Sequence, residues 1–135
     1  MLCRPIPGED CYELMEDLRF WVNGKEEIVP FGYRAKASIP RICHTILVSP
    51  FDPRVIRGGF IHDYLYDTGL CDRKTADLKF KEVLLNDKLD EESAETFFFA
   101  VRRVGWHAWN RCRENDKTLN TKELFNPCSL TLNIL

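Results

Sequence analysis

Apolar side chains recur at every second position through Leu18, Phe20 and Val22, the period of a strand with one buried face, and β-type residues resume at Ile28 and Val29. Between them stands Asn23-Gly24, the dipeptide that two-residue hairpin turns favour because both central residues take a positive φ. The pattern predicts a β-hairpin with strands near 16–22 and 26–30. Residues 1 to 10, with Pro5, Pro7 and Gly8, read as an extended arm. Pro30, Gly32 and Pro40 punctuate a loop through Ala37-Ser38-Ile39-Pro40.

Beyond that loop the pattern turns helical. A short helix is predicted over Ile42 to Val48, stopped near Pro50 and Pro53. A longer one is predicted from Pro53 to Thr68, with proline in its first turn and Gly69 at its C-terminal cap. Asp72 is a good N-cap for the next helix, whose apolar positions Ala76, Phe80, Val83 and Leu84 recur at helical spacing. Asp90 caps the last helix. Its first turn carries Glu91 and Glu92 and its far end Arg102, Arg103 and Arg111, the order a helix dipole favours. Residues 114 to 135 read as a tail lying on the domain. The expected architecture is α+β, a single domain over 1–135: an arm (1–10), a hairpin (11–32), a helical core of three to four helices (42–113) and the tail.

Composition narrows the functional classes. The chain has 135 residues, 44% of them hydrophobic, enough for one real core. Its 19 basic and 21 acidic residues leave a formal net charge of −2, which argues against a dedicated nucleic-acid binder and against an anionic membrane surface as main partner. The N-terminus lacks the apolar run of a secretory signal, and the longest apolar run, Phe97 to Val101, is far short of a membrane span. The expectation is therefore an intracellular protein without a transmembrane segment. Its six cysteines (Cys3, Cys11, Cys43, Cys71, Cys112, Cys128) are then better read as thiols than as three disulfides. No pair has CxxC spacing, so a zinc site built from them is disfavoured.

Chemistry concentrates in His62-Asp63-Tyr64-Leu65-Tyr66. His62 and Tyr66 are four apart and Asp63 and Tyr66 three apart, so both pairs meet on the surface of a helix. Phe60, Ile61 and Leu65 around them require burial. The following helix offers Arg73, Asp77 and Phe80. An antiparallel pair joined by the short Gly69-Leu70-Cys71 turn would bring Asp77 beside His62, as a His–Asp dyad requires: the carboxylate fixes the imidazole tautomer and stabilises its charged form. Asp63 would be left to bind a hard divalent cation such as Ca2+. The same residues at a helix–helix contact also suit a purely structural hydrogen-bond network that specifies packing.

The order Val29-Pro30, Gly32-Tyr33, Ala37-Ser38-Ile39-Pro40-Arg41, Ile61-His62-Asp63-Tyr64-Leu65-Tyr66, Arg73 with Ala76-Asp77 and Phe80, and Val101-Arg102 with Gly105-Trp106 resembles a family of small phage and prophage proteins catalogued as a domain of unknown function. The resemblance runs from about Leu14 to Trp109. It implies a bacteriophage or prophage origin, and with it a place in the host cytoplasm or on the virion, but no activity. A second resemblance, of His62-Asp63-x-x-Tyr66 with Asp77 to the catalytic helix pair of phospholipase A2 enzymes, implies chemistry. There the histidine activates water, the adjacent aspartate holds calcium and the facing aspartate orients the histidine. Those roles would fall to His62, Asp63 and Asp77, with Tyr66 supporting the network; Arg73 and Ser38 are the further supporting candidates of the site. The sequence departs from both patterns. It has no glycine-rich calcium loop braced by disulfides, and it reads Arg34-Ala35 where the phage family usually carries Thr-Asp.

Ser38 could be proposed as a nucleophile with His62, but no Gly-x-Ser-x-Gly elbow surrounds it and a cap on the following helix is the plainer reading. His44 and His107 stand alone. Trp106, Trp109 and Phe97 to Phe99 are most simply core aromatics, or in part a face for a partner protein. Two expectations follow. One is a hydrolase-like, esterase- or phospholipase-like domain using His62 with Asp77. The other is a non-enzymatic phage protein that binds a host or virion protein or a small ligand.

Overall fold

A computed structural model describes residues 1–36 and 52–125 of the chain. The loop through Ser38, the helix expected over Ile42 to Val48, His44, Cys43, Cys128 and the last ten residues lie outside the described residues. The strands come first: β1 (Cys3–Pro5), β2 (Cys11–Leu14), β3 (Leu18–Val22), β4 (Lys25–Val29) and β5 (Arg34–Lys36). Three helices follow: α1 (Pro53–Thr68), α2 (Arg73–Asn86) and α3 (Glu91–Phe125).

The hairpin forms where the alternation places it. β3 and β4 pair antiparallel with Leu18 opposite Val29, and the turn holds Asn23 at φ 51° and Gly24 at φ 73°. Leu18, Phe20 and Val22 face inward while Arg19 and Trp21 face out. A second, three-stranded antiparallel sheet has β2 at its centre, between β1 and β5. The expected arm thus includes a paired strand, Cys3 opposite Leu14 and Pro5 opposite Tyr12. Pro5, which has no N–H to give, sits on an edge strand where none is required.

Each helix starts and stops on the signals in its sequence. Asp52 accepts the backbone N–H of Arg54 ahead of Pro53 at the first position of α1. Gly69 closes that helix in the left-handed conformation, φ 61°, its N–H donated to the Leu65 carbonyl. Asp72 accepts from Thr75 N–H and Asp90 from Ser93 N–H. α3 does not stop near residue 113 as predicted but continues to Phe125. Beyond residue 113 its sequence is mostly polar and lacks the apolar period that marks a packed helix. No glycine or proline falls between Gly105 and Pro127, and backbone geometry carries the helix on.

Two apolar clusters fill the interior. One joins the strands to α1, with Leu14, Phe20, Val29, Ile61 and Leu65 almost wholly buried. The other lies among the helices, with Val55, Phe80, Leu84, Phe97 and Val101. Burial of each such side chain contributes roughly 1.5–3 kcal/mol. Gly58 allows α1 its close approach to α2: a Cβ there would lie 3.0 Å from Leu84 Cδ2.

Candidate functional site

Gly58 meets Leu84 near one end of the α1–α2 contact, and His62 and Tyr66 meet Asp77 further along. Sequence order thus runs in opposite directions on the two helices, which are antiparallel. His62 Nε2 lies 2.7 Å from Asp77 Oδ1, and Tyr66 Oη donates to the same oxygen at 2.7 Å. The other carboxylate oxygen accepts from Arg102 Nη1 at 2.8 Å, with Arg73 Nη1 at 3.5 Å. Arg73 also donates to the Val101 and Arg102 carbonyls, which fastens α2 to α3. Asp77 is wholly buried and His62 is 8% exposed. The imidazole is held between the Tyr66 ring, centroids 4.2 Å apart, and the Phe80 ring at 4.7 Å.

The electrostatics fix the proton on the ring. Burial alone would push the Asp77 carboxyl up, but hydrogen bonds from His62, Tyr66 and Arg102 outweigh it and hold the pKa below the ordinary value. An ionised Asp77 only accepts, so His62 donates to it from Nε2, and Nδ1 is the ring nitrogen this contact leaves. Tyr66 is pushed up by burial and by its bond to the Asp77 carboxylate, so its hydroxyl stays protonated and donates. Gly105 on α3 completes the packing. A Cβ at that position would come within 2.5 Å of Tyr66 Oη.

The structure therefore brings His62, Tyr66, Arg73 and Asp77 together. Arg102 is the member that sequence reasoning did not assign to the site. Its partner is 25 residues away, beyond any helical spacing rule, and the signal that could have found it is its place in the Val101-Arg102 motif. Arg113 was likewise missed. It caps the C-terminus of α1 through the Tyr66 and Asp67 carbonyls and lies over the Trp109 ring.

Asp63 is placed apart from this network. It lines a cavity of about 190 Å3 with Arg34, Tyr66, Asp67, Ala108, Arg111, Cys112 and Asn115. Burial, then the neighbouring Asp67, raises its pKa well above the ordinary value, and no described residue gives its carboxyl a hydrogen bond or an ion pair. Asp67 is engaged: Tyr33 Oη donates to it at 2.5 Å and Cys112 Sγ at 3.4 Å. No group of three or more His, Cys, Asp or Glu among the described residues could hold a metal ion. Calcium takes six to eight oxygens. The described residues around Asp63 offer one further carboxylate, already engaged, and two guanidiniums, which repel a cation. They do not fit the calcium role that the phospholipase likeness would give Asp63.

The remaining candidates fall elsewhere. At the Arg34-Ala35 departure, Ala35 is 2% exposed and faces inward, so an aspartate there would enter the packed layer beside α1. Arg34 turns outward, near Glu9 and Glu13. Of the aromatics read as core, Phe97 is buried, but Phe99 and Trp106 are exposed. Trp106 stacks on His107. Cys3, Cys71 and Cys112 are free thiols, and burial raises the Cys112 pKa to about 11, too high for a thiolate nucleophile at neutral pH.

This two-sheet, three-helix arrangement defines a small α+β protein with a histidine–aspartate pair at the seam of its helices. The chain belongs to a family described as protein of unknown function (DUF1353), which matches residues 12–101 and so runs from β2 through the helix pair to the first part of α3, leaving β1 outside. No curated protein and no solved structure matches it. No helix among the described residues is long and apolar enough to cross a membrane.

Proposed function

We propose that the protein is a hydrolase in which His62 activates water and Asp77 positions it. The observation that carries this reading is the 2.7 Å contact between His62 Nε2 and a buried Asp77 that three further donors keep ionised. Such a carboxylate holds one tautomer and offsets the charge the ring gains on taking a proton. Nδ1 is then the atom that draws a proton from water as the water oxygen attacks an ester carbonyl, and the imidazolium returns the proton to the leaving oxygen. The likeness of His62, Tyr66 and Asp77 to the phospholipase A2 helix pair supports ester substrates. No step is assigned to a metal. The phage-like motifs support a bacteriophage or prophage origin and action in the host cytoplasm.

The test is hydrolysis of soluble nitrophenyl esters of graded chain length by the wild-type protein, His62→Ala and Asp77→Asn. Loss of the base should lower kcat by about 10²–10⁴-fold. Asp77→Asn should lower it by orders of magnitude per folded molecule. An inactive wild-type protein across the series, with and without added calcium, would refute the hydrolase reading.

One observation favours a second reading. Asp77 gathers donors from α1, α2 and α3 at once, which is what a structural clamp needs. In that case the protein is a non-enzymatic phage protein binding a host or virion protein or a small ligand. Asp77→Asn would then lower the melting temperature and leave binding intact in the folded fraction.

A further inference from the structure

The cavity beside α1 and α3 is a site that the His62–Asp77 pair does not use. Its lining is unlike ordinary surface. Asp63 presents a carboxyl that burial disfavours in its charged form, that no described residue hydrogen-bonds, and that opens on the cavity. Asp63 is half-buried, and a ligand that supplies donors to its carboxyl inside the cavity offsets the cost of ionising it there. The lining also includes two cations, Arg34 from β5 and Arg111 from α3. Arg111 is exposed and has no carboxylate partner among the described residues. Arg34 has only long contacts, 3.6 Å to Glu9 and 3.7 Å to Glu13. The lining therefore holds a carboxyl at Asp63 with no cation paired to it and a guanidinium at Arg111 with no carboxylate, with Arg34 held only loosely by its own partners.

We infer that this cavity binds a compact zwitterion, its ammonium group against Asp63 and its carboxylate between Arg34 and Arg111. Asp67 stays committed to Tyr33 and Cys112 and forms the fixed floor beside the ammonium. The volume of about 190 Å3 suits a small amino acid. Tyr66 is shared between this cavity and the Asp77 network. A filled cavity thus touches the residue that steadies Asp77, while the binding itself stands apart from whether His62 is a base.

The experiment uses the whole chain and a ladder of ω-amino acids: glycine, β-alanine, 4-aminobutanoate and 6-aminohexanoate. Butylamine and butanoate serve as single-charge controls. Binding is read by calorimetry and by the rise in melting temperature. The expected result is one preferred chain length that binds at least about tenfold more tightly than either control, the loss expected when one charged hydrogen-bonding partner is missing. Asp63→Asn and Arg111→Gln should each weaken that ligand by about the same factor. Asp63→Asn keeps the side chain's shape and removes an unmatched charge, so its melting temperature should not fall. If it does fall, the exposed Arg111→Gln decides the matter alone. Equal binding of zwitterion and controls, no binding at millimolar concentration, or unchanged affinity in Arg111→Gln would overturn the proposal. Because none of these measurements reads ester hydrolysis, failure here and failure of the hydrolase reading are distinguishable.

Discussion

Asp77 is wholly buried and Asp63 half-buried, and their surroundings drive them in opposite directions. Asp77 is compensated by His62, Tyr66, Arg102 and Arg73, so its folded-state pKa is lowered. Its contribution to stability is fully present above the ordinary carboxylate pKa of about 4 and is lost as pH falls through the lowered value. Truncation by Asp77→Ala should cost about 3–5 kcal/mol at neutral pH, because Arg102 would be left without its buried counter-charge. Urea titration of the variant checks this. Asp63 has a raised pKa, so the sign reverses: its contribution is greatest below about pH 4 and is lost as pH rises through the raised value. The groups around it are Asp67 and Tyr66 on its own helix and Tyr33, Arg34, Arg111 and Cys112 from other segments. Asp63→Asn should therefore gain stability over wild type as pH climbs from about 4, then level off once the wild-type carboxyl is ionised. Urea midpoints across a pH series measure this, and an advantage that does not change with pH would count against an uncompensated Asp63. Spacing alone revealed that His62, Tyr66 and Asp77 would meet, because helical periodicity and a short turn fix such pairs. It could not separate the fates of the two aspartates. The fate of Asp77 depends on Arg102, which reaches it from α3, and that of Asp63 on its burial beside Asp67.

At the scale of elements, the boundaries legible in the sequence are those set by local chemistry. Asn23-Gly24, Pro53, Gly69, Asp72 and Asp90 act through their own backbone geometry or through a side chain reaching its own turn. The sheet of β1, β2 and β5 was not legible. Its strands of three and four residues are too short to show a period, and β2 pairs with β5 across the intervening hairpin. The contact of α1 with α3 was equally silent, although Gly105 records it. Gly105→Ala should cost about 1–3 kcal/mol, since its Cβ would strike the Tyr66 hydroxyl and overpack the seam. Tyr66→Phe removes that hydroxyl and, with it, a bond to Asp77. In the Tyr66→Phe background the alanine should be nearly neutral, or stabilising by up to about 1 kcal/mol through its better helix propensity. Thermal melts of the two single variants and the double variant give the coupling. Additive costs would mean that Tyr66 does not fill the space beside Gly105.

Across the whole molecule, the strands and helices share one interior and are laced at its rim. Phe20 from the hairpin lies in the same cluster as Ile61 and Leu65 of α1. Arg57 of α1 donates to the Arg19 carbonyl of β3 and pairs with Asp87 just beyond α2. Glu82 and Asn86 of α2 reach the hairpin backbone at Asn23 and Trp21, and Lys79 pairs with Glu27. Neither layer can keep its apolar face covered without the other, so the two should unfold together. The tryptophans allow this to be followed: Trp21 reports on the hairpin, whereas Trp106 and Trp109 lie on α3. With Trp106 and Trp109 replaced by phenylalanine, Trp21 fluorescence follows the hairpin alone while far-ultraviolet circular dichroism follows the helices. The two urea transitions should coincide. Phe20→Ala, which empties a site 1% exposed, should shift both midpoints downward together by an amount equivalent to about 3–5 kcal/mol. A hairpin signal that moves while the helical transition stays in place would show two independent units. The seam holding His62 and Asp77 would then rest on the helices alone.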